Sequence, residues 1–125
     1  LSGADLSSAN LSGADLYAVQ MKGANLRGAN LSNTYTGNTN LSGANLSGAN
    51  LSGASLNPVN LKNTNLSGAN LSNTDLTGSY FNGANLSNAD LSGANLIGIT
   101  ATNLQGCPRS LPNGWVCENN SLLRR

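Results

Sequence analysis

Leu, Met, Thr or Phe stands at every fifth residue from Leu1 to Leu96; Leu fills seventeen of those twenty slots, and Met21, Thr36 and Phe81 fill the others. An amphipathic helix repeats its apolar residues near every 3.6 positions and a strand near every 2, so a strict period of five suits neither. Two residues before each slot comes a small or β-branched residue, most often Ala, as at Ala4, Ala9 and Ala14. That spacing of two is strand-like and sends both side chains the same way. The rest of each unit must then turn the chain. Two residues after the slot stands Gly twelve times and Asn five times, the residues that tolerate the positive φ required at the third position of a type II turn. A chain that repeats one short strand and one corner twenty times winds into a β-solenoid with its Ala and Leu side chains inside.

Composition limits the alternatives. Gly, Asn, Ser, Ala and Leu dominate, and only 9% of residues are charged. Such a bias is compatible with disorder, but disorder has no need of a strict apolar period. The net charge of +1, from six scattered basic residues, lacks the concentrated positive face of a duplex binder. No nucleic-acid partner is therefore expected. No apolar run approaches the roughly 20 residues that cross a bilayer, so no membrane insertion is expected. The chain opens in mid-repeat at Leu1 and reads as a mature or trimmed product.

Units such as Ala14-Asp15-Leu16 and Ala24-Asn25-Leu26-Arg27-Gly28 resemble the pentapeptide repeat family, of the type common in cyanobacteria. The resemblance covers residues 1–100. It implies an all-β fold, a right-handed parallel β-helix of quadrilateral cross-section with four pentapeptides per coil, and hence about five 20-residue coils. The residues support a four-sided coil independently. Positions 9, 29, 49, 69 and 89 are all Ala, positions 12, 32, 52, 72 and 92 are all Ser, and positions 19, 39, 59, 79 and 99 are Val, Thr, Val, Ser and Ile. Faces differ from one another, and the difference recurs at 20. Stacking at about 4.8 Å would make a rod roughly 24 Å long. Leu6, Leu26, Leu46, Leu66 and Leu86 are expected to form one inward column. Asn25, Asn45, Asn65 and Asn85 are expected to form side-chain ladders between coils.

After Leu96 the phase breaks, with Leu104 out of register, and residues 101–125 read as a carboxyl-terminal cap on the solenoid of residues 1–100. Trp115, Val116, Leu122 and Leu123 are the candidates to cover the last coil. Cys107 and Cys117 close a short loop, and a disulfide there is worth about 2–3 kcal/mol. A metal site is the competing reading; it needs about four ligands, and the chain has no His. A disulfide implies an extracytoplasmic compartment (periplasm, thylakoid lumen or exterior). The Cys-Pro…Leu-Pro-x-Gly-Trp…Cys tail is similar to tails of some cyanobacterial members of the family. The amino end has no equivalent cap, which leaves two expectations: a monomer with preceding residues missing, or end-to-end association through that coil.

No constellation for catalysis appears. Without His there is no triad or imidazole base. Asp5, Asp15, Asp75 and Asp90 all fall in a slot otherwise held by Asn and are too dispersed to pair or to gather around calcium. No enzyme activity, cofactor or metal is expected. The family resemblance favours a structural or protein-interaction rod with an unknown protein partner. A DNA-mimicking topoisomerase inhibitor, as some quinolone-resistance members are, needs a strongly acidic surface that +1 does not supply. An ice-binding or surface-binding role would use the ladder Ser12, Ser32, Ser52, Ser72 and Ser92, which corner chemistry also explains.

One part of the coil carries nearly all the variety. Residues that break the pattern, among them Tyr17, Val19, Gln20, Tyr35, Ser55, Asn57, Pro58, Val59, Ser79 and Tyr80, fall between positions 15 and 20 of their coils. Pro58 occupies a slot where positive φ is the rule, and the proline ring holds φ at about −65°. Two readings follow. Bulkier residues inside this face demand a different turn throughout, or the edge is a contact surface anchored by exposed Tyr. On the second reading Tyr17, Tyr35, Asn57, Pro58 and Tyr80 form the surface, with Lys22 and Lys62 on its rim.

Overall fold

The computed structural model describes all residues, Leu1–Arg125. Its backbone is paired in parallel at a constant offset of 20 residues, from Asp5↔Asn25 to Tyr80↔Thr100. The paired residue is always the one just before the Leu slot, the flat point between two corners. Most contacts are therefore single bridges; only β1 (Thr39–Asn40) and β2 (Val59–Asn60) extend to two residues, in the register Thr39↔Val59. Positive φ occurs at nineteen of the twenty corner positions from Gly3 to Gly98, including Ser8 at 59° and Ala18 at 61°; Pro58 is the exception. The backbone of the coil imposes this conformation even on residues that resist it.

Both inward slots fill the interior. Leu26, Leu46, Leu66 and Leu86 are wholly buried in one column, and Leu6 packs half-buried at its end. Where Thr replaces Ala the hydroxyl finds a backbone acceptor: Thr34, Thr64 and Thr74 donate to Leu31, Leu61 and Leu71 carbonyls at 2.7–2.8 Å. No buried side-chain polar atom lacks a partner, as a narrow low-dielectric interior demands.

The Asn slot does a different job from the one expected. Asn25, Asn45, Asn65 and Asn85 do not form side-chain ladders between coils. Each Oδ1 instead accepts the backbone N–H two residues on, at 3.0–3.1 Å. This local Asx bond satisfies a corner donor that no ladder bond reaches, so it wins over stacking. All fifteen Asn or Asp residues of this slot make it. Only an acceptor oxygen is required, which is why Asp and Asn interchange. In the column Ser12, Ser32, Ser72 and Ser92 the hydroxyls turn back to the same oxygens.

Parallel pairing continues past residue 100, slips by one at Asn85↔Gly106 and returns to the regular offset at Asp90↔Ser110. Leu104 lies outside the Leu phase, yet it is buried in the small-residue slot one coil on from Ala84, while Ala101 takes the Leu slot. Large and small have exchanged places, so the interior volume is kept. A hairpin follows, β3 (Trp115–Glu118) antiparallel to β4 (Ser121–Arg124). Side chains alternate across it. Trp115, Cys117 and Leu122 face the core, whereas Val116 and Leu123, paired opposite each other, face away; Leu123 is exposed. Val116 and Leu123 thus do not cover the last coil. Leu122 N–H bonds the Ala101 carbonyl and Leu104 N–H bonds that of Asn120, and a Cys107–Cys117 disulfide with Cα atoms 6.0 Å apart ties the hairpin to the preceding loop.

Two outcomes follow. Leu46→Ala is expected to cost about 2–5 kcal/mol, as buried Leu truncations do, in urea denaturation; a midpoint indistinguishable from that of the wild type would contradict the column. The second concerns acid. Hydrogen bonds from the Ser92 side chain, then its backbone N–H, hold the Asp90 carboxyl below its ordinary 3.8, with Arg109 adding a weaker attraction. A lowered folded-state pKa stabilises the fold above the ordinary value, and that stabilisation is lost as pH falls through the lowered one. Asp90→Asn keeps the acceptor oxygen but does not titrate. Its Tm difference between pH 6 and pH 2 should be smaller than that of the wild type; an equal difference would show that Asp90 is not held in this way.

Candidate interaction edge

Five residues of the Asn slot carry no suitable acceptor: Gln20, Tyr35, Ser55, Tyr80 and Thr100. All lie on the variable edge. Consequently the N–H groups of Lys22, Gly37, Asn57, Asn82 and Thr102 have no acceptor within the protein. Gly37 and Asn57 occupy equivalent positions in successive coils; Asn57 is exposed and its donor open, whereas Gly37 is buried.

Pro58 opens the ladder further. At ordinary corners the positive-φ residue donates its N–H to a carbonyl of the next coil, as Ala18 does to Gly37 and Gly78 to Ile97. Pro58 has no N–H, so the Thr77 carbonyl receives no bond. The Asn57–Pro58 peptide is cis, and Asn38 N–H reaches the Pro58 carbonyl at 2.7 Å, leaving the Asn57 carbonyl open as well. Inside, a hydroxyl repairs the break. Val59 N–H donates to Ser79 Oγ at 3.0 Å, and Ser79 Oγ donates to the Leu56 carbonyl at 3.2 Å. Thr39 makes the corresponding bond to Leu16 at 2.8 Å. Thr39 and Ser79 supply these hydroxyls in a column that otherwise holds Val19, Val59 and Ile99. The expectation of a different turn throughout this face does not hold: Ala18, Asn38, Gly78 and Gly98 keep positive φ, and the departure is confined to the proline, whose ring forbids it.

The three Tyr residues are each about half exposed: Tyr17 50%, Tyr35 48% and Tyr80 45%. Tyr17 and Tyr35 stack with centroids 5.4 Å apart, in the offset range that aromatic pairs favour. Asn38 Nδ2 donates to Tyr17 Oη at 2.7 Å and fixes that ring. The pair closes over Gly37, where a Cβ would lie 3.3 Å from the Tyr35 ring, 3.5 Å from Tyr17 and 3.0 Å from the Asn57 carbonyl. Glycine here answers to close approach. Tyr80 stands apart from that stack, with Lys62 Nζ 5.2 Å from its ring centroid, a cation–π contact at an exposed site. Lys22 is exposed and stands over no ring. Asn57 is exposed and Pro58 half-buried.

Between Tyr17's partner Asn38 and Tyr80 lies a cleft of about 230 Å³, lined by Gln20, Asn38, Asn40, Pro58, Asn60 and Tyr80 among others. The sequence singled out Gln20, Pro58 and Tyr80 but not Asn38, Asn40 and Asn60, which sit in regular repeat slots. Their signal is positional, since each neighbours a slot that has lost its acceptor. A second hollow, of about 420 Å³, lies among Ser7, Ser8, Arg27 and Ser47 on another corner.

The family model described as pentapeptide repeats matches in eight copies over residues 1–33, 24–63 and 60–98. Among solved structures the chain is similar to HetL, a pentapeptide repeat protein involved in heterocyst differentiation regulation from the cyanobacterium Nostoc. The identity is 30% and the TM-score 0.54, over 97% of this chain and 62% of HetL. It is also similar to a pentapeptide repeat protein of the Arabidopsis thaliana thylakoid lumen, with 31% identity and a TM-score of 0.50, over 82% of this chain and 68% of that one. The chain thus spans less than two thirds of the length of HetL. No curated protein sequence matches it.

Gly37→Ala places a methyl group between the stacked rings and the Asn57 carbonyl, and is expected to cost about 1–3 kcal/mol, as overpacking does. Urea denaturation checks it. An unchanged midpoint would mean that the Tyr pair does not rest on Gly37.

Proposed function

The chain belongs to the pentapeptide repeat family and shares its right-handed β-helix, and on that premise we propose that it is a non-enzymatic protein-interaction rod whose contact surface is the tyrosine-bearing edge. The observation that carries this reading is the coincidence of three features on one edge: half-exposed Tyr17, Tyr35 and Tyr80, the cleft beside them, and the backbone groups left open around Pro58. Exposed aromatic side chains are common anchors of interfaces. In most other units the Asx bonds and coil ladder leave the corners satisfied and repetitive. On this reading the solenoid is five stacked coils of four units each, and the hairpin with its disulfide caps the carboxyl end, Leu122 closing the interior. The cap keeps the rod from pairing there with other chains.

The net charge of +1 argues against mimicry of DNA, which needs dense negative charge. An extracytoplasmic location is supported by the Cys107–Cys117 disulfide and by the likeness to a thylakoid-lumen protein, since disulfides persist in oxidising compartments. The partner is a protein, and no cofactor takes part.

The test compares two folded variants in binding to the protein that co-purifies with the intact chain from its native compartment. Tyr17, Tyr35 and Tyr80 all changed to Ser should weaken binding at least about tenfold, since each interface aromatic that acts as an anchor carries about 2 kcal/mol or more. Ser12, Ser32 and Ser52 changed to Ala should leave it unchanged. Equal binding by the Tyr variant would reduce the edge to a corner with different packing.

A further inference from the structure

The cleft at the Pro58 corner has a chemistry of its own. Its lining groups carry no formal charge: Gln20, Asn38, Asn40 and Asn60 supply carboxamides, against Thr39, Pro58, Val59 and the Tyr80 ring. The bonds already made decide which ends remain free. Asn40 and Asn60 spend Oδ1 on the N–H groups of Ser42 and Lys62, so their NH2 groups are left to donate. Asn38 uses one Nδ2 N–H on Tyr17, so its Oδ1 and its second N–H remain free. Gln20 makes no side-chain bond and offers both. The cleft therefore presents paired donors and an acceptor beside an aromatic ring.

A ligand group buried here must accept and donate at once and carry no charge. A carboxylate would face the free Asn38 oxygen and lose water without a counter-charge lining the cleft, and an apolar group would leave the amides unpaired. A volume of about 230 Å³ falls below the roughly 300–1,000 Å³ of ordinary small-molecule pockets and admits a single side chain or peptide group. A carboxamide, with one acceptor oxygen and two N–H donors, matches these free groups. We infer that this cleft is a recognition pocket for a neutral amide of the partner protein, either the side chain of an Asn or Gln residue or a backbone peptide group. The inference rests on the reading of the edge as a protein contact and specifies what the partner places between Asn38 and Tyr80.

The slot rule supplies a clean variant. Asp already stands in the Asn slot at positions 5, 15, 75 and 90, where its Oδ1 makes the same corner bond. Asn40→Asp with Asn60→Asp therefore keeps both corners while turning two free donors into carboxylate oxygens. The full chain would be titrated by residue-resolved amide NMR with three blocked amino acids: N-acetyl-asparagine methylamide, its alanine counterpart and its isosteric aspartate counterpart. Methyl glucopyranoside serves as a neutral hydroxylated alternative.

The expected result is saturable, weak binding of the asparagine probe, with shifts confined to Gln20, Asn38–Asn40, Val59–Asn60 and Tyr80. The aspartate probe should bind at least tenfold more weakly, and the double variant should lose the asparagine probe while its amide spectrum elsewhere stays that of the folded wild type. Alanine-probe binding equal to that of asparagine assigns the pocket to backbone amides, and weaker binding assigns it to side chains. Equal affinity for aspartate where alanine binds more weakly, unimpaired binding by the double variant, tighter binding of the glucoside, or no shifts with any probe would each overturn the inference. Loss of partner binding in the Tyr variant alongside silent probes would leave the edge reading standing and remove this one.

Discussion

Apart from one short turn bond per unit, the backbone of this protein must find its hydrogen-bond partners in the coil above or below, one full circuit of the chain away, because a five-residue unit is too short to pair with itself along its length. That register fixes almost everything else. It places the residue before each Leu slot flat against its equivalent, forces positive φ at the corners even on Ser8 and Ala18, and sends two side chains per unit inward. It also leaves one N–H per corner that neither the ladder nor the local turn bond, such as Ala44 N–H to the Leu41 carbonyl, can reach. An Asn or Asp oxygen satisfies that donor in fifteen units, which gives that column of the sequence a physical cause.

Function enters where this economy is suspended. The five slots without an Asx acceptor and the one corner without a ladder donor lie together on a single edge. There the aromatic residues are exposed, Lys62 sits over Tyr80, and the amide-lined cleft opens. Each departure is tolerable alone. Their common location is what separates a contact surface from scattered irregularity. The buried Ser79 hydroxyl, relaying between Val59 and Leu56, shows the interior adjusted so that the break at Pro58 remains on the outside.

The architecture was largely legible because the period of five and its recurrence at 20 are properties of inward and corner residues alone. What was not legible depends on which of two partners a group chooses. Asn25 and its equivalents have side chains suited both to stacking and to local bonding, and sequence cannot say that the local N–H wins. Val116 and Leu123 are as apolar as Leu122, and only the hairpin register turns them outward. Leu104 looked displaced because the exchange of large and small with Ala101 is visible only in cross-section. For the candidate site, Tyr17, Tyr35, Pro58 and Tyr80 announced themselves by breaking the repeat. Asn38, Asn40 and Asn60 obey it, and become site residues through the neighbours they stand beside.

Residue-resolved hydrogen exchange of the native protein tests most directly the claim that one edge is left open in an otherwise satisfied ladder. The amides of Leu46 and Asn65, bonded to Asn65 and Ala44 carbonyls, should exchange only through large-scale opening of the rod. That of Asn57, exposed in the middle of the same rod, should exchange at close to the rate of an unstructured peptide. Protection of Asn57 comparable to that of Leu46 would contradict the account, because that group would then have a partner within the protein and the edge would be as closed as every other.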